Sequence, residues 1–208
     1  ITKKDHGIVI VNHDSTIFRP CAILLNNDLS GGIPDKLKDI DQDIIPPLNA
    51  GWTKRRKTNH FQFYNEVVNE FSQFTKIDPW LINPYFEKIS NLDFHERKGE
   101  EELSNKIDLL LKKIQKKYDQ YHIKHKPYVV IKADAGTYGM GIMIAKKPDE
   151  VLRLNRKKRN KMSTIKDGVK VREVIIQEGI HTEENIDGAV TEPVIYMIDH
   201  FVIGGFYR

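Results

Sequence analysis

The sequence has little cysteine and no long hydrophobic run. Cys21 is its single cysteine, so no disulfide can form within the chain, and this usage is typical of a reducing compartment. Cys21 begins the apolar run CAILL at 21–25, which predicts a buried side chain. Such runs are far shorter than the roughly 20 apolar residues that a membrane-spanning helix needs. We therefore predict a cytoplasmic protein with no membrane partner.

An excess of one charge is also missing. The 33 lysines and arginines face 29 acidic residues, which leaves a net charge of +4. The basic runs KRRK (54–57) and NRKKRNK (155–161) keep a nucleic-acid-binding module open as an alternative. Few aromatic residues interleave with them, so a platform for base stacking is lacking. We expect no nucleic-acid partner and interpret 155–161 as a basic loop.

Metal-binding motifs are scarce as well. The eight histidines form no HExxH motif, and a single cysteine offers no zinc-ligand spacing. A zinc site is therefore excluded on sequence grounds.

The apolar periodicity predicts an α/β protein. Residues 7–11 and 21–25 are expected to be short buried strands. A helix capped by Thr58 is predicted to extend to residue 74, and a second helix is predicted over 103–121, each with one apolar face. The segment 191–208 is expected to form two strands around a turn.

A glycine-rich turn lies between two predicted strands in YVVIKADAGTYGMGIMIA, residues 128–145. Gly136, Gly139 and Gly141 remove side chains, so backbone N–H groups there can approach an anion closely. A P-loop is excluded because no helix and no GK[ST] follow the glycines. Lys132 lies on the incoming strand, opposite in direction to Ile131, where it can reach a phosphate. A tight turn without a ligand remains the alternative for the glycines alone.

A second strand, VIIQEGI at 174–180, ends in polar residues. Its exposed end can offer backbone groups to a nucleobase, and Glu178 can accept a hydrogen bond from an amino group or a ribose hydroxyl. An ordinary strand end is the alternative for this segment by itself.

Together these motifs resemble an ATP-grasp ligase, and the longer strings narrow the resemblance. LLNNDLSGGIP, PPLNAGW, RRKTNHF, IDPWLINP, KADAGTYGMGIM, QEGI and EPVIYMIDHFVIGGFYR are similar to the proteobacterial glutamate–cysteine ligase family with an ATP-grasp fold. The resemblance runs from about residue 20 to the end. It implies a partial ATP-grasp fold, with residues 1–50 as the end of an α/β pre-ATP-grasp domain, 51–176 as the first lobe and 177–208 as the start of the second.

The resemblance implies an ADP-forming ligase that joins the γ-carboxylate of L-glutamate to the amine of L-cysteine through an acyl phosphate, the first step of glutathione biosynthesis. The implied partners are ATP, L-glutamate and L-cysteine, with Mg²⁺ as cofactor. Lys132 and Arg208 are the implied catalytic residues. The implied ATP-binding residues are Lys57, Lys132, Gly136, Thr137, Tyr138, Gly139, Met140, Gly141, Gln177, Glu178, Gly179, Ile180 and Glu192.

The amino-acid site is less clear from the sequence. Arginine binds carboxylates well, so the candidates are two arginines and a polar loop, namely Arg55, Arg56, Asn26, Asn27, Asp28 and Ser30. An exposed basic connector is the alternative for the arginines. The chain also resembles a fragment that lacks both ends, with metal ligands expected beyond Arg208. We therefore expect impaired catalysis with nucleotide binding retained, and another ATP-grasp ligase with a different amino acid or amine stays open as an alternative.

Overall fold

The computed structural model describes most of the chain, namely residues 1–27, 29, 32–50, 55–135, 141–164 and 170–208. It contains two compact units, Ile1–Glu178 and Gly179–Arg208. None of the helices in these described ranges is long and apolar enough to cross a membrane.

The described residues form short strands and three α-helices. The strands are β1 (Thr2–Lys4), β2 (Gly7–Val11), β3 (Ile17–Phe18), β4 (Ala22–Leu24), β5 (Asp43–Ile45), β6 (Phe86–Ile89), β7 (Val129–Ala133), β8 (Ile142–Ala145), β9 (Val174–Glu178), β10 (Asn185–Ile186), β11 (Ala189–Val190), β12 (Pro193–Ile198) and β13 (Phe201–Tyr207). The helices are α1 (Lys57–Thr75), α2 (Glu100–Gln120) and α3 (Arg156–Ser163). This mixture of helices and sheets agrees with the predicted α/β class.

A four-stranded sheet is the centre of the first unit. Its order is β6–β9–β7–β8, and each neighbouring pair is antiparallel. Along β7, Val129, Ile131 and Ala133 are buried while Lys132 is only partly covered. This alternation follows from the two-residue period of a strand and separates a core face from the face that carries Lys132.

Helix α2 packs its apolar face into the core beneath the sheet. It begins after Gly99, whose φ of +81° is a left-handed conformation that favours glycine, and three glutamates in its first turn suit the positive end of the helix dipole. Its buried side chains repeat every three or four residues, as predicted: Leu103, Ile107, Leu110, Ile114 and Tyr118. The core therefore supports the underside of β7 and β9.

Helix α1 confirms the predicted helix but corrects its cap and its burial. Arg56, with an extended backbone, is the N-cap residue, and Thr58 lies inside the first turn with its side chain buried. Most of the predicted apolar face is exposed within the described residues, and Phe74 is 88% exposed. The helical period therefore predicted the helix correctly but did not predict which of its side chains are buried.

Two further predictions were wrong. The basic run at 155–161 is not a loop but forms most of α3, because the Asn155 side chain accepts a hydrogen bond from the Lys158 N–H at 2.9 Å and caps the helix. Cys21 is exposed, not buried. In the described part of the chain, β4 pairs only with β5, in parallel, so this two-stranded sheet leaves its apolar residues uncovered.

The second unit contains the predicted hairpin at its end. β12 and β13 pair antiparallel, with Pro193 opposite Tyr207 and Ile198 opposite Phe201. The turn consists of Asp199 and His200, close to the predicted position.

Candidate functional site

Lys132 and Gln177 meet on the face of the sheet opposite the core that includes α2. The Lys132 ammonium donates a hydrogen bond to Gln177 Oε1 at 3.0 Å across the β7–β9 pair. Lys132 is opposite Ile175, so Gln177 is its diagonal neighbour on the same face. The side-chain amide thus holds the lysine in place without neutralising its charge.

A second lysine reaches the same strand from α1. Lys57 Nζ donates to the carbonyl oxygen of Ala133 at 2.7 Å, and the Lys57 backbone N–H donates to the carbonyl oxygen of Asp134 at 3.0 Å. The two candidate lysines are therefore anchored to adjacent positions of β7. The structure brings together two residues that lie 75 positions apart in the sequence (132 − 57).

Asp134 fastens the start of α1 to the end of β7. Its carboxylate accepts from the Thr58 backbone N–H and from the Thr58 hydroxyl, both at 2.8 Å, and the aspartate is only 1% exposed. A carboxylate at this place satisfies a free N–H of the first helical turn and faces the positive end of the helix. The capping group of α1 is thus the Asp134 carboxylate, which is distant in sequence, and not the Thr58 side chain that the sequence predicted.

The lysines carry charge in a desolvated setting. Burial lowers the pKa of Lys132. Burial is also the main cause that lowers the pKa of Lys57. The nearby Lys132 charge lowers this pKa as well, whereas the Asp134 carboxylate raises it. Partly buried ammonium groups with lowered pKa values are common at sites that bind anions or carry out chemistry.

A small ion-pair network borders the two lysines. Lys88 Nζ lies 3.1 Å from Glu173 Oε1 and 3.9 Å from Asp134 Oδ2, and Arg56 Nε lies 3.9 Å from Glu173 Oε2. Lys88 is the main cause that lowers the pKa of Glu173. This network fixes the side of the site that contains the predicted substrate residue Arg56.

The predicted strand–turn–strand at 128–145 is confirmed for its two strands. β7 and β8 pair with Lys132 opposite Ile142. Gly141 has a φ of +64°, a left-handed conformation suited to glycine, and its carbonyl oxygen accepts from the Ala133 N–H at 3.0 Å. Gly136, Thr137, Tyr138, Gly139 and Met140 lie outside the described residues.

Glu178 lies on the opposite side of the sheet from Lys132. Its Oε2 accepts from the Trp80 indole N–H at 2.9 Å and from the Tyr85 backbone N–H at 3.1 Å. Burial is the main cause that raises the pKa of this carboxyl, which is 3% exposed. The side chain therefore faces the helical core, and the backbone of this strand end is the part that can face a ligand next to Lys132.

The remaining nucleotide candidates belong to the second unit. Gly179 and Ile180 follow β9 directly, and Ile180 is exposed. Glu192 and Arg208 form an ion pair across the ends of the β12–β13 hairpin, where Arg208 Nε donates to Glu192 Oε1 at 2.6 Å. Two residues predicted separately thus form one carboxylate–guanidinium pair.

The amino-acid candidates are only partly described. Asn27 Oδ1 accepts from the Leu29 backbone N–H at 2.7 Å inside its own loop, and Asn26 is exposed. Asp28 and Ser30 lie outside the described residues. Arg55 is exposed next to Arg56, and both precede α1. These residues remain predictions for the substrate site.

No metal site is formed by the part of the chain that the structure describes. In it, no group of three or more histidine, cysteine, aspartate and glutamate residues comes together in an arrangement that could hold a metal ion. Asp134 and Glu173 instead accept from Thr58 and pair with Lys88. The described residues therefore do not fit a bound magnesium ion.

Sequence reasoning missed the residues that support Lys57 and those that hold Glu178. Asp134 directly follows β7 in KADAG, and an acidic residue at a strand end was the available signal. Trp80 and Tyr85, which hold Glu178, come from IDPWLINPY, where the prolines indicated only a break in the helix. Their role depends on pairing across 98 and 93 positions, which no local pattern shows.

Comparison with known proteins gives a family and one closely similar structure. A model of the family described as GshA, glutamate-cysteine ligase, matches residues 3–208. A crystal structure from Methylobacillus flagellatus KT, of a protein provisionally named gamma-glutamylcysteine synthetase, is similar with 62% sequence identity and a TM-score of 0.82. The match covers 92% of this chain and 45% of the other, so the chain spans less than half of that relative. A search of curated proteins found no match.

The family match covers nearly the whole chain, including both strands that hold Lys132 and Gln177. The chain belongs to the glutamate-cysteine ligase family.

Proposed function

We propose that this protein is an ATP-dependent ligase of the ATP-grasp type that joins the γ-carboxylate of L-glutamate to the amine of L-cysteine. The family match supports the reaction, and one observation supports the place of the nucleotide: Lys57 and Lys132 are both anchored on β7 next to the glycine-rich turn. In this proposal the first unit binds ATP. The second unit is the start of the second ATP-grasp lobe.

The proposed reaction has two steps. The γ-phosphoryl group of ATP moves to the γ-carboxylate of glutamate, which gives ADP and an acyl phosphate. The cysteine amine then attacks the acyl carbon, the C–O bond to phosphate breaks, and the amine loses a proton as the amide forms. Phosphoryl transfer of this kind depends mainly on positioning and on neutralising charge.

The lysine pair performs the charge neutralisation in the first unit. Lys132, held by Gln177, faces the α- and β-phosphates, and Lys57 adds a second ammonium from the start of α1. Their partial burial strengthens attraction to a triphosphate because less water screens the charges. The glycine-rich segment 136–141, which the sequence predicts to be a turn, is the proposed cover that excludes water from the acyl phosphate.

The end of β9 holds the adenosine part. The side chain of Glu178 is occupied by Trp80 and Tyr85, so the adenine contacts come from the backbone at 177–180. This placement revises the sequence-based role of Glu178 from a ligand contact to a support of the strand end. Its hydrogen bonds keep the strand end in place beside β6.

The second unit and the basic connector bind the reacting groups. Arg208 has the proposed role of stabilising the charge on the transferred phosphoryl group, which is what the family resemblance implies, and Glu192 orients its guanidinium. Arg55 and Arg56, with the loop at 26–30, bind the α-carboxylates of the amino acids. Mg²⁺ is the proposed cofactor, and because the described residues do not form its site, no step is assigned to it.

The reaction is tested by ADP release. We expect release only when ATP, L-glutamate and L-cysteine are all present. Replacing cysteine by other amino acids is the matched control. A clear preference for another amine would contradict the proposed substrate and favour a different ligase of the same fold.

A further inference from the structure

A third lysine faces the same side of the central sheet as Lys132. Ile175 in β9 is paired with Lys88 in β6 on one side and with Lys132 in β7 on the other. Residues that are directly opposite each other in neighbouring strands point to the same face of the sheet, so both lysines lie on one face with β9 between them. With neighbouring strands about 4.8 Å apart, their backbones are about 10 Å from each other. The proposed reaction gives Lys88 no role.

Lys88 is held by a carboxylate on this face. Its side chain is 35% exposed, and its ammonium lies 3.1 Å from Glu173 Oε1. Glu173 precedes Ile175 by two residues, and its carboxylate also accepts from the Ser90 hydroxyl at 3.0 Å. The hydrogen bond from Lys88 is the main cause that lowers the pKa of Glu173, so this carboxyl is ionised at neutral pH.

The Glu173 carboxylate lies close to groups that are proposed to bind anions. Arg56 Nε lies 3.9 Å from Glu173 Oε2. A second carboxylate is also near, because Lys88 Nζ lies 3.9 Å from Asp134 Oδ2. Burial lowers the pKa of Lys57 and the Asp134 carboxylate raises it, so the lysine pair responds to negative charge at this place. A single ammonium, that of Lys88, is therefore within 4 Å of both carboxylates.

The formal charges of these groups show what Lys88 contributes. The cluster consists of four cations and two carboxylates, namely Arg56, Lys57, Lys88, Lys132, Asp134 and Glu173. Its excess is two positive charges with Lys88 and one positive charge without it. Because partly buried charges are screened less than exposed ones, this difference acts on a triphosphate bound at Lys132.

We propose that Lys88 is a positioning residue of the nucleotide site. It holds the Glu173 carboxylate, so that this negative charge does not compete with a polyphosphate for Arg56 and the lysine pair. Lys88 acts through Glu173 and does not contact the phosphates itself. The inference rests on the proposed function, because it requires an anion on the face that carries Lys132.

The test is a double-variant cycle, followed by calorimetric titration of the full chain with a nonhydrolysable ATP analogue. Lys88→Met leaves Glu173 without this cation and should weaken binding about fivefold to tenfold. Adding Glu173→Gln to Lys88→Met removes the carboxylate and should restore the affinity to within about twofold of the native chain. Lys88→Arg keeps the charge and should bind like the native chain.

The matched control is an ion pair outside the cluster. Lys112 Nζ lies 2.6 Å from Asp108 Oδ2 on an exposed part of α2, so Lys112→Met also removes one paired cation. It should change the affinity less than about twofold, with or without Asp108→Asn. Urea unfolding of every variant measures stability separately, and a purely structural role of Lys88 would lower stability without the rescue by Glu173→Gln.

Two results would overturn the inference. Lys88→Met could bind the ATP analogue as tightly as the native chain, or Glu173→Gln could fail to restore the affinity, which would mean that Lys88 contacts the phosphates or only supports the fold. In either case binding by the native chain leaves the proposed nucleotide site standing. If the native chain itself does not bind the analogue, the proposed function fails and this inference fails with it.

Discussion

Asp134→Ala should destabilise the first unit strongly, because this buried carboxylate joins α1 to β7. It accepts two hydrogen bonds from Thr58 at 2.8 Å, and the aspartate is 1% exposed, so water cannot replace them. Hydrogen bonds to charged groups contribute about 1.5–3 kcal/mol each, so removing both is expected to cost about 3–6 kcal/mol of unfolding free energy. Lys88, at 3.9 Å and partly exposed, adds little to this sum.

The assay is urea unfolding followed by tryptophan fluorescence. Thr58→Val keeps the backbone N–H bond and removes only the hydroxyl, so it should cost about 1–2 kcal/mol. Asp108→Ala is the control, because Asp108 forms an exposed i,i+4 pair with Lys112 and its loss should cost less than about 1 kcal/mol. If Asp134→Ala cost no more than Asp108→Ala, the proposed connection between α1 and β7 would be refuted.

Two further predictions concern pH. Because burial lowers the pKa of Lys132 and Lys57 below 10.5, both lose their charge at a lower pH than exposed lysines. Affinity for an ATP analogue should therefore decline as the pH rises toward 10.5. Lys132→Met should make the measured affinity less dependent on pH in titrations. The raised pKa of Glu178 means that its stabilising contribution is complete below its ordinary value of 4.5 and is lost as pH rises through the higher folded value. Glu178→Gln removes this titration, so the unfolding free energy of the native protein should fall relative to that of the variant as the pH rises from 4.5 to neutral. A rise relative to the variant would contradict this assignment.

Sequence patterns predicted those elements whose burial is set by their own period. The apolar face of α2 and the alternation along β7 were correct because each faces a single core. Predictions failed where contacts with residues distant in sequence, or a capping side chain, determine burial and secondary structure. The apolar face of α1 is exposed in the described residues, and the basic run that became α3 depends on a cap from Asn155.

In the candidate site, too, residues with a local sequence signal were predicted and residues that act through distant contacts were not. Lys132 was recognised from its place before the glycines, and its bond to Gln177 joins two residues that were both candidates. The support of the site was not visible, because Asp134 acts on Thr58 across 76 positions. The side-chain direction of Glu178 was also missed, since it depends on which face of β9 the core covers.

The most direct test of the account is a calorimetric titration with a nonhydrolysable ATP analogue. Lys132→Met and Lys57→Met should each weaken binding about tenfold or more, since each removes one charged contact with the phosphates, while exposed Lys116→Met should change it less than about twofold. Equal affinity in all three variants, or nucleotide bound away from β7 in a crystal of the complex, would contradict the proposed role of the lysine pair.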